Sequence, residues 1–241
     1  LKLLKPTIMK KSCIALLTLF IFSSCAELQQ VINQLPQGTI GNEEIASGLR
    51  QALDMGIDKQ VSKLTQTDGF FKNEMVKILL PDELKKVDKA LRDVGLSNLA
   101  DEGLKVLNRA AEDAVKEATP IFVDAVKGIT FADAKNILLG SDNAATQYLT
   151  SRTETALYAK FNPIIKNSFN KVGADQIWSN LITRYNALPF TTDVNPNLTD
   201  YVTNQALKGV YTMIAVEEKE IRTNFSSRTT DLLKRVFALQ D

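Results

Sequence analysis

The sequence has no histidine among its 241 residues and only two cysteines, Cys13 and Cys25. Histidine is the commonest metal ligand and the side chain best suited to proton transfer near neutral pH. Its absence excludes His-ligated zinc and di-iron centres, Ser-His-Asp triads and Cys-His pairs. No Gly-x-x-x-x-Gly-Lys-Ser/Thr phosphate loop is present, and the scattered aspartates do not form an Asp-x-Asp-x-Asp-Gly calcium loop. No cofactor and no metal are therefore expected. Long apolar runs are also missing: the longest candidate, Ile14 to Phe22, has nine residues, whereas a bilayer-spanning helix needs about 20.

That short run has a different meaning in context. Lys10 and Lys11 precede it and the small residues Ser23-Ser24 follow, directly before Cys25. Basic residues, an apolar core and a small-residue site form a secretory signal layout. A cysteine straight after the serines resembles the lipobox of bacterial lipoproteins, although Phe22 stands where that pattern prefers Leu. The expectation is cleavage after Ser24, lipid on Cys25 and a start at Met9, with Leu1 to Ile8 upstream of the true beginning. Ala26-Glu27-Leu28 carries a single acid, so no dense acidic surface-export tag follows the cysteine. The expected location is the cell envelope, lipid-anchored to the outer membrane and facing the periplasm.

Removing residues 1–24 leaves 217 residues, enough for one good-sized core. The leader carries Lys2, Lys5, Lys10 and Lys11 and no acid. Twenty-five basic residues then face twenty-eight acids, a net charge of −3. A mildly acidic chain without basic clusters is a poor nucleic-acid binder, and no such partner is expected. Both cysteines belong to the export signal, so the domain must hold together by packing without a disulfide.

Residues 25–41 are rich in Gln, Asn, Pro and Gly and read as a tether. The segment 42–241 reads as an all-α, single multi-helix globular domain. Ile45, Leu49, Leu53, Ile57, Val61 and Leu64 recur every three or four residues, predicting a helix from about Glu43 to Thr65. Asp68-Gly69 breaks it, and Met75 to Leu80 reads as connection for want of a strand partner. Asp82 and Glu83 suit the start of a helix closed by Gly95. The next helix runs from about Leu99 to Ala118, with Leu104, Leu107, Ala111, Ala114, Val115 and Ala118 inward, until Pro120 ends or kinks it.

Thr130 and Asp133 read as a helix start and Gly140 as its stop. Ser141 or Asp142 can cap the helix that runs on towards Lys160. Pro163 suits the first turn of another helix, ended by Gly173, and Ala174 to Leu188 makes one more. Pro189 to Asn197 is the clearest loop. A long helix reaches about Arg222, and Leu232, Leu233, Val236 and Phe237 give the last one its apolar face.

Several strings occur in a fixed order: Asp68-Gly69-Phe70 with Asn73, Asn108-Arg109-Ala110-Ala111-Glu112, Asp133-Ala134 with Gly140, and Ala145-Thr146 with Tyr148. Tyr201-Val202-Thr203, Glu217-Glu218, Ile221-Arg222 and Arg228 before Leu232-Leu233-Lys234 complete the set. Together they resemble the bacterial domain of unknown function 4197 from about Ile45 to Phe237, with Leu79 standing where that family pattern has Pro. The resemblance implies an exported or lipid-anchored helical protein of Gram-negative bacteria. It implies no activity and no catalytic residues.

Within this frame a few polar residues fall on apolar stripes. Asn108 lies four residues after Leu104 and three before Ala111, and Glu112 sits one turn further on beside Arg109. Glu217 lies four after Met213 and four before Ile221. A buried amide needs partners, and buried carboxylates need pairing. Arg109, Arg222 and Arg228 are natural partners for Glu112 and Glu217. These six residues form either a buried salt-bridge network or a polar ligand pocket, with Glu112 or Glu217 as a carboxylic acid catalyst in the sharpest reading. Phe70, Phe71 and Trp178 read as core anchors.

Three functions fit. The first is a membrane-anchored envelope module that binds an envelope protein, peptidoglycan or a small ligand. The second is a periplasmic enzyme that cleaves glycan with carboxylates alone. The third is a purely structural lipoprotein.

Overall fold

The computed structural model describes residues 40–240 except 82–84, 86–88, 90, 91, 94, 96, 188, 191 and 192. The expected leader, Cys25 and nearly all of the tether lie outside the described residues. Residues 42–241 form one compact unit, all-α, with no strand among the described residues.

Helix α1 spans Asn42–Leu64, with Glu43 and Glu44 in its first turn, where acids complement the helix dipole. Its predicted stripe, Ile45 to Leu64, is buried throughout. A second row, Gly48, Ala52, Gly56 and Gln60, lets neighbouring helices approach closely. A Cβ on Gly48 would stand 2.5 Å from Val236, and one on Gly56 would meet the Glu217 side chain at 3.2 Å. After α1 the chain turns at Asp68, whose φ of 66° is left-handed, and runs to Pro81 without regular structure. Of the helix expected between Asp82 and Gly95, Lys85, Lys89, Arg92 and Asp93 are helical, and Gly95 has the positive φ that suits its closing role. The remainder lies outside the described residues.

Helix α2 covers Ser97–Val115 and α3 covers Ala118–Lys127. The sequence reading runs the first of these on to Ala118 and does not anticipate the second. Pro120 ends nothing: it sits in the first turn of α3, where its missing N–H has no helical acceptor to lose. Helix α4, Phe131–Leu138, opens with a full capping box between Thr130 and Asp133.

Helix α5, Ala144–Asn170, is continuous through Pro163. The expected break near Lys160 and restart at Pro163 are therefore corrected. Leu149, Thr153, Leu157, Phe161, Ile165 and Phe169 recur every fourth residue and all are buried. Burying Phe161, Ile165 and Phe169 stabilises by about 1.5–3 kcal/mol each, against roughly 3 kcal/mol for a proline in a helix interior. Packing wins over local propensity.

Helix α6 is Ala174–Asn186, α7 is Leu198–Thr223, a 3-10 turn covers Phe225–Ser227, and α8 is Asp231–Phe237. The two longest helices, α5 and α7, pack against each other at the centre. Helices α1, α2 and α6 lie on α7, α3 joins α1 to α5, and α4 and α8 lie on α1. The core between them holds Phe70, Phe122, Phe161 and Phe169. Phe122 meets Tyr211 edge to face at 6.0 Å, and the Tyr211 hydroxyl bonds Thr153 at 2.8 Å. The loop before α7 is pinned by Asn186, whose side chain bonds both backbone groups of Val194, and by the Trp178 indole N–H on Asn195 O.

Candidate functional site

The six candidate side chains do not meet at one place. Asn108, Arg109 and Glu112 form one cluster on α2, Glu217 a second against α1, and Arg222 with Glu218 a third between α4 and α5. Arg228 closes the chain after α7.

In the first cluster Asn108 is fully buried. Its Oδ1 accepts the Ile78 N–H at 2.8 Å, and its Nδ2 donates to Ile78 O at 2.9 Å and Leu104 O at 2.7 Å. The amide thus substitutes for a strand partner and fixes an extended segment on α2. Glu112 accepts the Phe70 N–H at 3.1 Å and the Arg109 guanidinium at 3.0 Å. Arg109 also reaches Asp68 at 2.7 Å, and Lys72 pairs with the other Asp68 oxygen at 2.8 Å. The Lys72 hydrogen bond, with the neighbouring positive charges of Arg109 and Lys105, holds the Asp68 carboxyl below the usual range. Tyr201, stacked on Trp178, donates to Leu79 O at 2.7 Å. The bonds from Asn108 to Ile78, Glu112 to Phe70, Arg109 to Asp68 and Tyr201 to Leu79 tie the 68–79 connection to the bundle.

Glu217 takes no arginine. Lys59 Nζ donates to Oε1 at 2.7 Å and Gln60 Nε2 to Oε2 at 2.6 Å, both from α1. The Gln60 amide oxygen is buried without a partner. The arginine expected near Glu217 pairs instead with its neighbour: Arg222 Nε and Nη2 bond Glu218 Oε1 at 3.0 and 2.8 Å. Each member of that pair also closes a helix end. Glu218 accepts the N–H groups of Ala145 and Thr146, both at 2.8 Å, at the start of α5. Arg222 donates to Ile137 O at 2.7 Å and Leu138 O at 3.0 Å at the end of α4.

A carboxylate at a helix N-terminus and a guanidinium at a C-terminus both match the helix dipole. The expected local cap of α5 by Ser141 or Asp142 is thus replaced by a tertiary one: Asn143 holds the N-cap position and makes no side-chain cap bond. Arg228 donates to Ile221 O and Arg222 O at 3.1 and 2.9 Å and lies against the rings of Phe225 and Phe237.

Glu218, Gln60 and Lys59 escape the stripe argument, which stops at Glu217. The signal for Glu218 is its i,i+4 relation to both Ile214 and Arg222. For Gln60 it is the run of small residues, Gly48-Ala52-Gly56, that it continues.

Glu217, Glu218 and Arg222 border a cavity of ≈ 20 Å³ with Leu49, Gly56 and Phe237, room for about one water molecule. Arg222 also edges an open groove with Leu139, Asp142, Thr223 and Gln240, although the N–H groups described above point inward. Phe70 and Trp178 are core residues, and Phe71 lies half-buried under the Lys77 ammonium at 4.6 Å. Among the described residues no group of three or more His, Cys, Asp or Glu side chains could hold a metal. None of the described helices is long and apolar enough to cross a membrane.

Fold and clusters together define an all-helical domain whose buried polar residues serve as internal clamps. A family model described as a protein of unknown function, DUF4197, matches residues 39–238, and the chain belongs to that family. No curated protein and no solved structure matches the chain.

Proposed function

We propose that the protein is an envelope lipoprotein, lipidated at Cys25, whose helical domain is a non-catalytic binding module. The observation that carries this reading is the commitment of the buried carboxylates. Glu112, Glu217 and Glu218 each have both oxygens engaged by internal N–H, amide or cationic donors. A general acid or nucleophile needs an oxygen that faces substrate, and these oxygens face internal donors instead. The clamps also hold the irregular connection 68–79 in a single arrangement, and rigid scaffolds that position loops are the usual basis of recognition. The glycan-cleaving alternative finds no such oxygen on Glu112, Glu217 or Glu218.

The test has two arms. Radiolabelled palmitate should be incorporated into the wild-type chain and not into Cys25→Ala. Photo-crosslinking residues placed along the surface of the lipidated protein in living cells should give discrete adducts clustered on one face. Adducts at no position would overturn the binding reading in favour of a purely structural lipoprotein, and release of soluble fragments from purified peptidoglycan would restore the enzyme.

A further inference from the structure

The end of α5 carries a run of lysines, and the peripheral helix α6 beside it is bordered by exposed apolar side chains. Between Glu154 and Asp175 the only charged residues are Lys160, Lys166 and Lys171. All three are exposed, and none joins an ion pair among the described residues. Asp175 and Asp200, on the neighbouring α6 and α7, form no ion pair with these lysines and are hydrogen-bonded to hydroxyls instead. Asp175 accepts the Thr199 hydroxyl at 2.9 Å, and Asp200 accepts the Tyr158 hydroxyl at 2.7 Å. A free cationic stretch is unusual in a chain whose net charge without the leader is −3.

Exposed apolar side chains flank the same helix. Val172 is 56% exposed in the turn that joins α5 to α6, next to Lys171, and Ile177 is 69% exposed one turn further on. Phe190, just beyond the other end of α6, is fully exposed and has a φ of 65°. A bulky residue in the left-handed region costs about 1–2 kcal/mol, and an exposed phenyl ring returns nothing to the fold. Such a residue breaks two local preferences with no compensating contact, the pattern of a side chain kept for an external partner.

A partner that met both sets of side chains would be apolar and anionic at once. A lipid headgroup region satisfies both: apolar tips enter the acyl boundary while lysine stems keep their ammonium groups among phosphates. We propose that the α5–α6 edge is a peripheral membrane contact selective for anionic phospholipid, with Val172, Ile177 and Phe190 inserted and Lys160, Lys166 and Lys171 facing the headgroups. This rests on the envelope reading above for its setting. The surface chemistry is independent of the lipid on Cys25.

The experiment uses residues 26–241, which lack both the basic, apolar leader and Cys25 and contain the whole compact unit, and measures co-sedimentation with vesicles. Phosphatidylethanolamine vesicles containing phosphatidylglycerol should bind the protein, and phosphatidylcholine vesicles should not. Each of K160Q, K166Q and K171Q should weaken binding about fivefold, the factor that corresponds to ~1 kcal/mol per cation at an anionic surface. V172S/I177S/F190S should abolish it with an unchanged circular dichroism spectrum, and M55S/L139S, which alters exposed apolar residues elsewhere, should leave it intact. Phe190→Gly separates the two roles, since it should weaken vesicle binding while keeping the melting temperature at or above the parent's.

Binding that survives the triple serine variant, or no binding to anionic vesicles, overturns the proposal, as does retention by an acidic protein with no lipid dependence. Palmitate incorporation together with failure on vesicles would sink this inference alone. The reverse result would sink the anchored reading and leave the membrane contact standing.

Discussion

Asn108 and Ile78 are paired through both backbone groups of Ile78, with N–H to Oδ1 at 2.8 Å and Nδ2 to O at 2.9 Å. Both residues are buried, so no water replaces a lost partner. Asn108→Leu is of similar volume but leaves two backbone groups unpaired, each costing about 1–3 kcal/mol. The expected outcome is a loss of roughly 2–5 kcal/mol in urea unfolding, with amide exchange rising first at residues 76–80. A variant as stable as the parent would show that Ile78 is held by other means.

Asn108 also marks where the sequence was informative and where it was not. Its burial followed from Leu104 and Ala111, one turn away on either side, because helical period alone places them on one face. Its partner did not follow, since Ile78 contributes only backbone atoms and backbone carries no residue signature. Pro163 misled for the opposite reason: local chemistry argued for a break, and the nonlocal burial of Phe161, Ile165 and Phe169 decided the matter. The α5 cap misled likewise, as a carboxylate from α7 took the place open to Ser141 or Asp142. Caps, breaks and stripes are local and legible, whereas the pairing of one helix end with a distant side chain is set by tertiary contact.

Glu218 and Arg222 should behave as one unit. Removing either charge leaves the other buried and also uncaps a helix end, an effect of about 3–5 kcal/mol for a buried pair. Glu218→Gln and Arg222→Met should each cause a loss of that order in urea unfolding, and the double variant should lose clearly less than their sum. Additive losses would mean that the ion pair matters less than the two separate capping roles.

Two glycines give opposite forecasts. A Cβ on Gly69 would stand 2.5 Å from Leu64 O and 2.6 Å from Lys63 O, both backbone atoms that cannot swing away. Gly69→Ala should destabilise by about 1–3 kcal/mol or more. Gly103 lies within α2 with nothing near its Cβ position. Gly103→Ala should raise stability by roughly 0.5–1 kcal/mol through helix propensity. Thermal melts of the two variants should move in opposite directions.

Acid and alkali should unfold the domain through different side chains. Lys72 and Arg109 hold Asp68 below its usual pKa, and the Thr130 backbone and hydroxyl do the same for Asp133. Their stabilising effect is complete above the ordinary aspartate pKa of about 3.9 and is lost as pH falls through their lower folded values. Asp68→Asn and Asp133→Asn should each flatten stability against pH below about 4. Tyr211 behaves in the reverse sense, because burial pushes its hydroxyl up to about 12 from an ordinary 10.0. The contribution from keeping it neutral is present below pH 10.0 and disappears as pH rises towards 12. Tyr211→Phe removes the ionisable group and keeps the ring that packs on Phe122. Its melting temperature should therefore fall less than the parent's between pH 9 and pH 11, and an equal fall would assign the alkaline transition to another group.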